Sequence, residues 1–181
     1  MVTFFSTFFK RTKYRFNKLT EDKGNWWIQK LRKFRLWCFR FASTVITSIV
    51  CYFKGIQRGD RCVFYGLPYF QRYPHSTIQI GKGCIFRSDQ VSNLIGVNHR
   101  SIISTHQEDA KIIIGENSGF SGVSIGAAKE ITIGNNVLCG ANVVITDWDW
   151  HADISNTEPK RVIIHDNVWI GLNTVIMKGV E

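Results

Sequence analysis

One feature constrains the fold more than any other: a six-residue unit that keeps returning. Ile133-Gly-Asn-Asn-Val-Leu, Cys139-Gly-Ala-Asn-Val-Val and Ile145 stand in strict register. After a break the register resumes with Ile164-His-Asp-Asn-Val-Trp, Ile170-Gly-Leu-Asn-Thr-Val and Ile176-Met-Lys-Gly-Val-Glu. Looser instances, Ile80-Gly-Lys-Gly-Cys-Ile and Ile114-Gly-Glu-Asn-Ser-Gly, carry the pattern back to about residue 78. A period of six matches neither the 3.6 of a helix nor the 2.0 of a strand. It fits short strands joined by tight corners, each turning one aliphatic residue inward. Gly134, Asn136, Gly140, Asn142, Asp166, Asn167, Gly171 and Asn173 are corner residues that tolerate left-handed backbone. Stacked units bury a column of Ile and Val, each unit touching only its neighbours.

The N-terminal third reads differently. Residues 1–58 hold 13 of the 23 Lys and Arg and 2 of the 14 Asp and Glu, a balance of +11 that leaves −2 for residues 59–181. They also hold 14 of the 24 aromatic residues. Two parts are therefore expected: a basic, aromatic arm over 1–58 and a nearly neutral repeat domain over 59–181. From Trp27, apolar residues recur at 31, 34, 38, 41, 45 and 49, which is helical spacing; the β-branched run from Val45 to Phe53 leaves a strand as the alternative there. The uncharged stretch from Phe41 to Phe53 spans about 20 Å as helix, short of the ~30 Å of a bilayer core. The expectation is no spanning helix and no export signal, with peripheral contact to anionic lipid by the arm. Basic residues among aromatics also suit a nucleic-acid strand, but no motif supports that partner, and none is expected. Five cysteines, odd in number, widely spaced and without a CxxC pair, exclude a disulfide framework and point to a reducing, cytoplasmic compartment.

The repeat is broken once, at residues 147–161, Asp-Trp-Asp-Trp-His-Ala-Asp-Ile-Ser-Asn-Thr-Glu-Pro-Lys-Arg. An excursion so rich in ionisable and aromatic groups points to function. His151 is the group in it best suited to take a proton at neutral pH. Asp147 and Asp149 could orient the His151 ring or bind a hydroxylated acceptor, and Trp148 and Trp150 could stack on a sugar ring. The alternation of Asp147, Asp149, His151 and Asp153 leaves an oxygen-rich cation site as a rival reading; no resident metal is expected. No Gly-rich nucleotide loop is present, so ATP- or NAD-dependent chemistry has no support.

The repeats and the repeat–excursion–His–repeat order resemble the hexapeptide-repeat acyltransferases over about residues 78–181. The likeness is strongest to the branch that O-acetylates sugars, including the maltose and galactoside enzymes and those of surface-polysaccharide synthesis. The resemblance implies a mainly β fold, a left-handed parallel β-helix carrying a partly helical N-terminal extension. It implies acetyl-CoA as co-substrate with no permanently bound cofactor, a sugar or glycan acceptor, and a homotrimer sharing its sites between subunits. His151 matches the catalytic histidine. Trp169, Gly171 and Leu172 match positions along the acyl donor. Around Ser121 and Gly122 the acceptor-binding Asn of the maltose and galactoside enzymes has no counterpart, so their acceptor does not carry over. The closely spaced His pair of zinc-binding relatives of the γ-carbonic anhydrase type is also missing. Family members run on past the position of Glu181 to basic residues that meet the coenzyme's phosphates, which leads to the expectation of either a fragment or an incomplete donor site.

Overall fold

The computed structural model describes residues 23–150 and 158–181. It opens with one α-helix, α1 (Lys23–Lys54), followed by short strands. These are β1 (Gln57–Arg58), β2 (Val63–Tyr65), β3 (Tyr69–Gln71), β4 (Thr77–Ile80), β5 (Ile85–Arg87), β6 (Ile102–Thr105), β7 (Lys111–Ile114), β8 (Gly119–Ser121), β9 (Ser124–Ala127), β10 (Glu130–Ile133), β11 (Leu138–Ala141), β12 (Val144–Thr146), β13 (Val162–Ile164), β14 (Trp169–Ile170) and β15 (Val175–Ile176). By contacts the chain divides into Met1–Cys38 and Phe39–Glu181. The first unit contributes the front half of α1; the second contains the rest of α1 and every described strand.

The strands form three parallel five-stranded sheets. The first is ordered β1-β4-β7-β10-β13, the second β14-β11-β8-β5-β2, and the third β15-β12-β9-β6-β3. The chain thus visits the three sheets in rotation, and each strand pairs with the one three places on. This mainly β, all-parallel arrangement is compatible with a parallel β-helix. Inward residues of all three sheets meet in one core. The first sheet supplies Ile78, Ile112, Ile131 and Val162, in register across neighbouring strands. The second supplies Phe64, Phe86 and Phe120, stacked with ring centroids 5.3 and 4.8 Å apart. The third supplies Phe70, Ile103, Ile125 and Ile145. Each such side chain, fully buried, contributes ~1.5–3 kcal/mol.

The corners show why the six-residue unit reads as it does. Asn117, Asn136 and Asn167 hold φ of 55°, 55° and 62°, and Asn142 and Asn173 hold 60° and 56°. These are left-handed positions that Asn tolerates. The glycine of Ile-Gly-x-Asn has another reason to be there. A Cβ at Gly115 would stand 2.5 Å from the carbonyl carbon of Gly134 in the next strand triplet, closer than any carbon can pack. Four of the expected left-handed positions, Gly134, Gly140, Asp166 and Gly171, are not left-handed. Gly134 and Gly140 are small because backbone passes over them.

A second ladder lies beside the first. The side chains of Cys62, Cys84 and Ser118 donate to the carbonyls of Gly81, Gly115 and Gly134, at 3.2, 3.1 and 3.2 Å. Two of the five cysteines are thus fixed as buried hydrogen-bond donors, and all five are free thiols. Burial pushes the Cys51 thiol up to about 11 and that of Cys139 up to about 12, so both stay protonated at neutral pH.

Helix α1 persists through Val45–Phe53, where the β-branched run left a strand open. Its end is set by Gly55, at φ +64°, with Gly55 N–H donating to Tyr52 O and Ile56 N–H to Cys51 O. That pair of bonds is the glycine-terminated helix stop that satisfies the last free carbonyls. Within the second unit, Ser43, Thr47 and Cys51 form the buried face of the helix. Ser43 Oγ accepts from Gly66 N–H and Thr44 Oγ1 from Phe64 N–H, at 3.2 and 3.1 Å. β2 is an outer strand of its sheet, so these hydroxyls satisfy donors that an uncovered strand edge would leave open.

Candidate functional site

The excursion begins with Asp147, which is fully buried. Its carboxylate accepts three backbone hydrogen bonds, from Ala128 and Lys129 at 2.7 Å and from Glu130 at 2.6 Å. Its own carbonyl accepts from Lys160 N–H at 2.9 Å, and the Lys160 carbonyl accepts from Gly179. The two ends of the excursion are therefore clamped together and onto neighbouring backbone. Asp147 serves that clamp: both its oxygens accept backbone N–H groups, and the side chain is fully enclosed. The alternation in the sequence carries no trace of this, because the three N–H groups come from a turn 17 to 19 residues earlier. Asp149 forms an ion pair with Lys178, both side chains being largely covered.

Trp148 and Trp150 lie side by side, ring centroids 5.6 Å apart. Thr146 Oγ1 accepts from Trp148 N–H and from Trp150 Nε1, at 3.3 and 3.2 Å, and donates to Trp148 O at 3.0 Å. The Trp150 ring passes over Gly126, where a Cβ would come within 2.8 Å of it. Its edge meets His106, with ring centroids 4.5 Å apart. His106 Nε2 is 2.8 Å from Ser104 Oγ. Burial holds the His106 imidazole below its usual range, against a smaller opposite pull from Asp147. Ser104, Gly126 and Thr146 occupy one register position across β6, β9 and β12. The outer face of the third sheet thus carries a His–Ser–Trp–Trp cluster at the mouth of the excursion. His151 and Asp153 lie outside the described residues.

Sequence reading assigned nothing to His106, Ser104 or Gly126. Gly126 offered the only signal available: a Gly inside a strand marks a close approach. His106 offered none, because the tryptophans it meets, Trp148 and Trp150, lie more than 40 residues away and are brought in by register.

The outer face of the second sheet carries a groove of about 380 Å³. Ile85, Leu138, Trp169 and Leu172 line it, with Arg87 and Ile95 on its wall. Trp169 is 78% exposed. Gly171 sits beside it, its carbonyl carbon 2.9 Å from where a Cβ on Gly140 would be. The wall is formed by the end of β5 and by the connection between β5 and β6, which Asn142 pins. Asn142 Oδ1 accepts from Asn98 N–H at 3.1 Å, and its Nδ2 donates to Gly96 O at 2.9 Å. Arg87 is held in place by Ser92 O at 2.7 Å and by the Tyr65 ring. The three residues expected along an acyl donor are therefore brought together, on a different sheet from the aromatic cluster.

Comparison of the chain with protein-family models, with curated proteins and with solved structures finds no match.

Proposed function

We propose that this protein is an acetyl-CoA-dependent O-acetyltransferase acting on a sugar or glycan hydroxyl, built on a left-handed parallel β-helix whose three faces are the three sheets. The observation that carries the reading is the clamped excursion. The second long break in the stack, after β12, is held at its neck by buried Asp147 and carries two fixed tryptophans that precede His151 in the sequence.

In the reaction His151 takes the proton of an acceptor hydroxyl as its oxygen attacks the thioester carbonyl. The tetrahedral intermediate collapses, the C–S bond breaks, and the leaving thiolate recovers the proton from His151. Trp150, 53% exposed, offers a face for a sugar ring, and the neighbouring Ser104–His106 pair offers hydrogen bonds to its hydroxyls. The groove beside Trp169 and Leu172 suits the apolar length of a pantetheine arm. Groove and aromatic cluster stand on different sheets, which favours a site completed between subunits, in keeping with a homotrimer. Free thiols throughout and a coenzyme A donor fit a cytoplasmic setting.

The test is release of coenzyme A thiol from acetyl-CoA in the presence of a panel of sugars. His151→Ala should lower turnover by ~10²–10⁴-fold, the range for loss of a general base, with donor KM little changed. Wild-type turnover in that variant would remove His151 as the base.

A further inference from the structure

Within the second unit, the large apolar side chains of α1 face away from the sheets. Spacing of three and four residues puts Val45, Ile49 and Tyr52 on one side of the helix, with Ile46 and Phe53 flanking them. All five are exposed, Tyr52 and Phe53 by 81% and 80%. The sheet-facing side is the small, polar one of Ser43, Thr47 and Cys51. An ordinary amphipathic helix on a β domain buries its large apolar residues and shows its hydroxyls to water. Here the order is reversed, and large apolar side chains in a contiguous exposed row mark a contact surface.

What covers that surface follows from charge. Residues 23–54 contain Lys23, Lys30, Arg32, Lys33, Arg35, Arg40 and Lys54 and no acidic residue. Two copies of so basic a segment repel each other, while an anionic surface attracts both. Aromatic residues recur through it, and Trp, Tyr and Phe among Lys and Arg suit the headgroup boundary of a bilayer. The stretch Asn25–Lys54 is long and apolar enough to cross a membrane. However, Ser43, Thr47 and Cys51 are taken up by the sheets, and Lys54 Nζ is anchored on Phe70 O at 2.6 Å. From Ser43 onward the helix is covered along one side by the sheets, so that part cannot be surrounded by lipid.

We propose that α1 docks the protein flat on an anionic lipid surface, its Val45–Ile49–Tyr52–Phe53 face entering the acyl boundary and its Ser43–Thr47–Cys51 face holding the sheets on the water side. The surface serves any activity of the repeat domain and does not depend on the acetyltransferase reading.

The experiment is co-sedimentation of the full chain with vesicles of phosphatidylcholine alone and with roughly 30% phosphatidylserine. Variants are Ile49→Ser/Tyr52→Ser/Phe53→Ser and, as control, Leu94→Ser, whose exposed side chain lies on the β5–β6 connection. Far-ultraviolet dichroism and urea unfolding confirm that each is folded. Wild type and the control should bind the anionic vesicles at least roughly tenfold better than the neutral ones, with binding weakened by high salt. The triple variant should lose roughly tenfold in affinity while remaining folded. Equal binding of wild type and folded triple variant overturns the proposal. So does retention of wild type in vesicles after alkaline carbonate, which marks a spanning helix, or a self-association lost in the triple variant with no vesicle binding, which marks a second copy as the occupant.

Discussion

Replacing Asp147 by alanine tests the idea that the excursion is held from its neck. The side chain accepts three backbone hydrogen bonds of 2.6–2.7 Å while fully buried. A hydrogen bond to a charged group contributes ~1.5–3 kcal/mol, and a buried donor left without a partner costs a further ~1–3. Against this stands the desolvation of the carboxylate itself, which the alanine variant no longer bears. The Ala128 N–H is the most deeply enclosed of the three; those of Lys129 and Glu130 can reach water in part. Weighing these, the net loss is about 3–5 kcal/mol, a large share of the ~5–15 by which such domains are stable. Asp147→Asn keeps one acceptor oxygen but aims an NH₂ group at another donor, so it should recover less than half of the loss. In urea, with a slope of ~2 kcal/mol per molar, Asp147→Ala should move the midpoint down by ~2 M. Asp149→Ala removes one ion pair and should cost about 1 kcal/mol or less. If Asp147→Ala unfolds within ~1 kcal/mol of wild type, the clamp is not what holds the segment.

Two further outcomes follow from the same geometry. Gly115→Ala forces a Cβ into the backbone of Gly134, so it should destabilise by ~1–3 kcal/mol or more in thermal or urea unfolding, although alanine is intrinsically the less flexible residue. His106 has its pKa lowered below 6.5 by burial, so the unfolded chain binds the proton more readily than the folded one. Its contribution is complete above pH ~6.5 and is lost as pH falls through the lowered folded value; His106→Asn should flatten the urea-midpoint profile in that window, with only a pH-independent offset from the lost Trp150 contact at pH 8.

Much of the architecture was legible because a period of six can satisfy itself locally. Asn136, Asn142, Asn167 and Asn173 turn the chain wherever they occur, and the Ile positions between them have one inward side. The first triplet, β1 to β3, was not legible. Its corner is Arg61, at φ 58°, and its inward residues are Phe64 and Phe70, so only Gly59 keeps a place in the Ile-Gly-x-Asn pattern. Register with β4, β5 and β6 places it. The helical stripe from Trp27 was visible as spacing, yet its direction was not. Periodicity says that apolar residues share a side, and only packing decides whether that side meets protein.

What the sequence determined by itself was the repetition, the corners, the break at 147–161 and the division of charge at residue 58. Each depends on residues close together in the chain, whose conformational preferences act without help. The tertiary structure decided the roles: Asp147 a strut, Gly115 a clearance, His106 a neighbour of Trp150, and the Ser–Thr side of α1 the one that covers a strand edge. Those depend on atoms 17 or more residues apart that meet only when the strands stack, and linear spacing holds no record of such meetings.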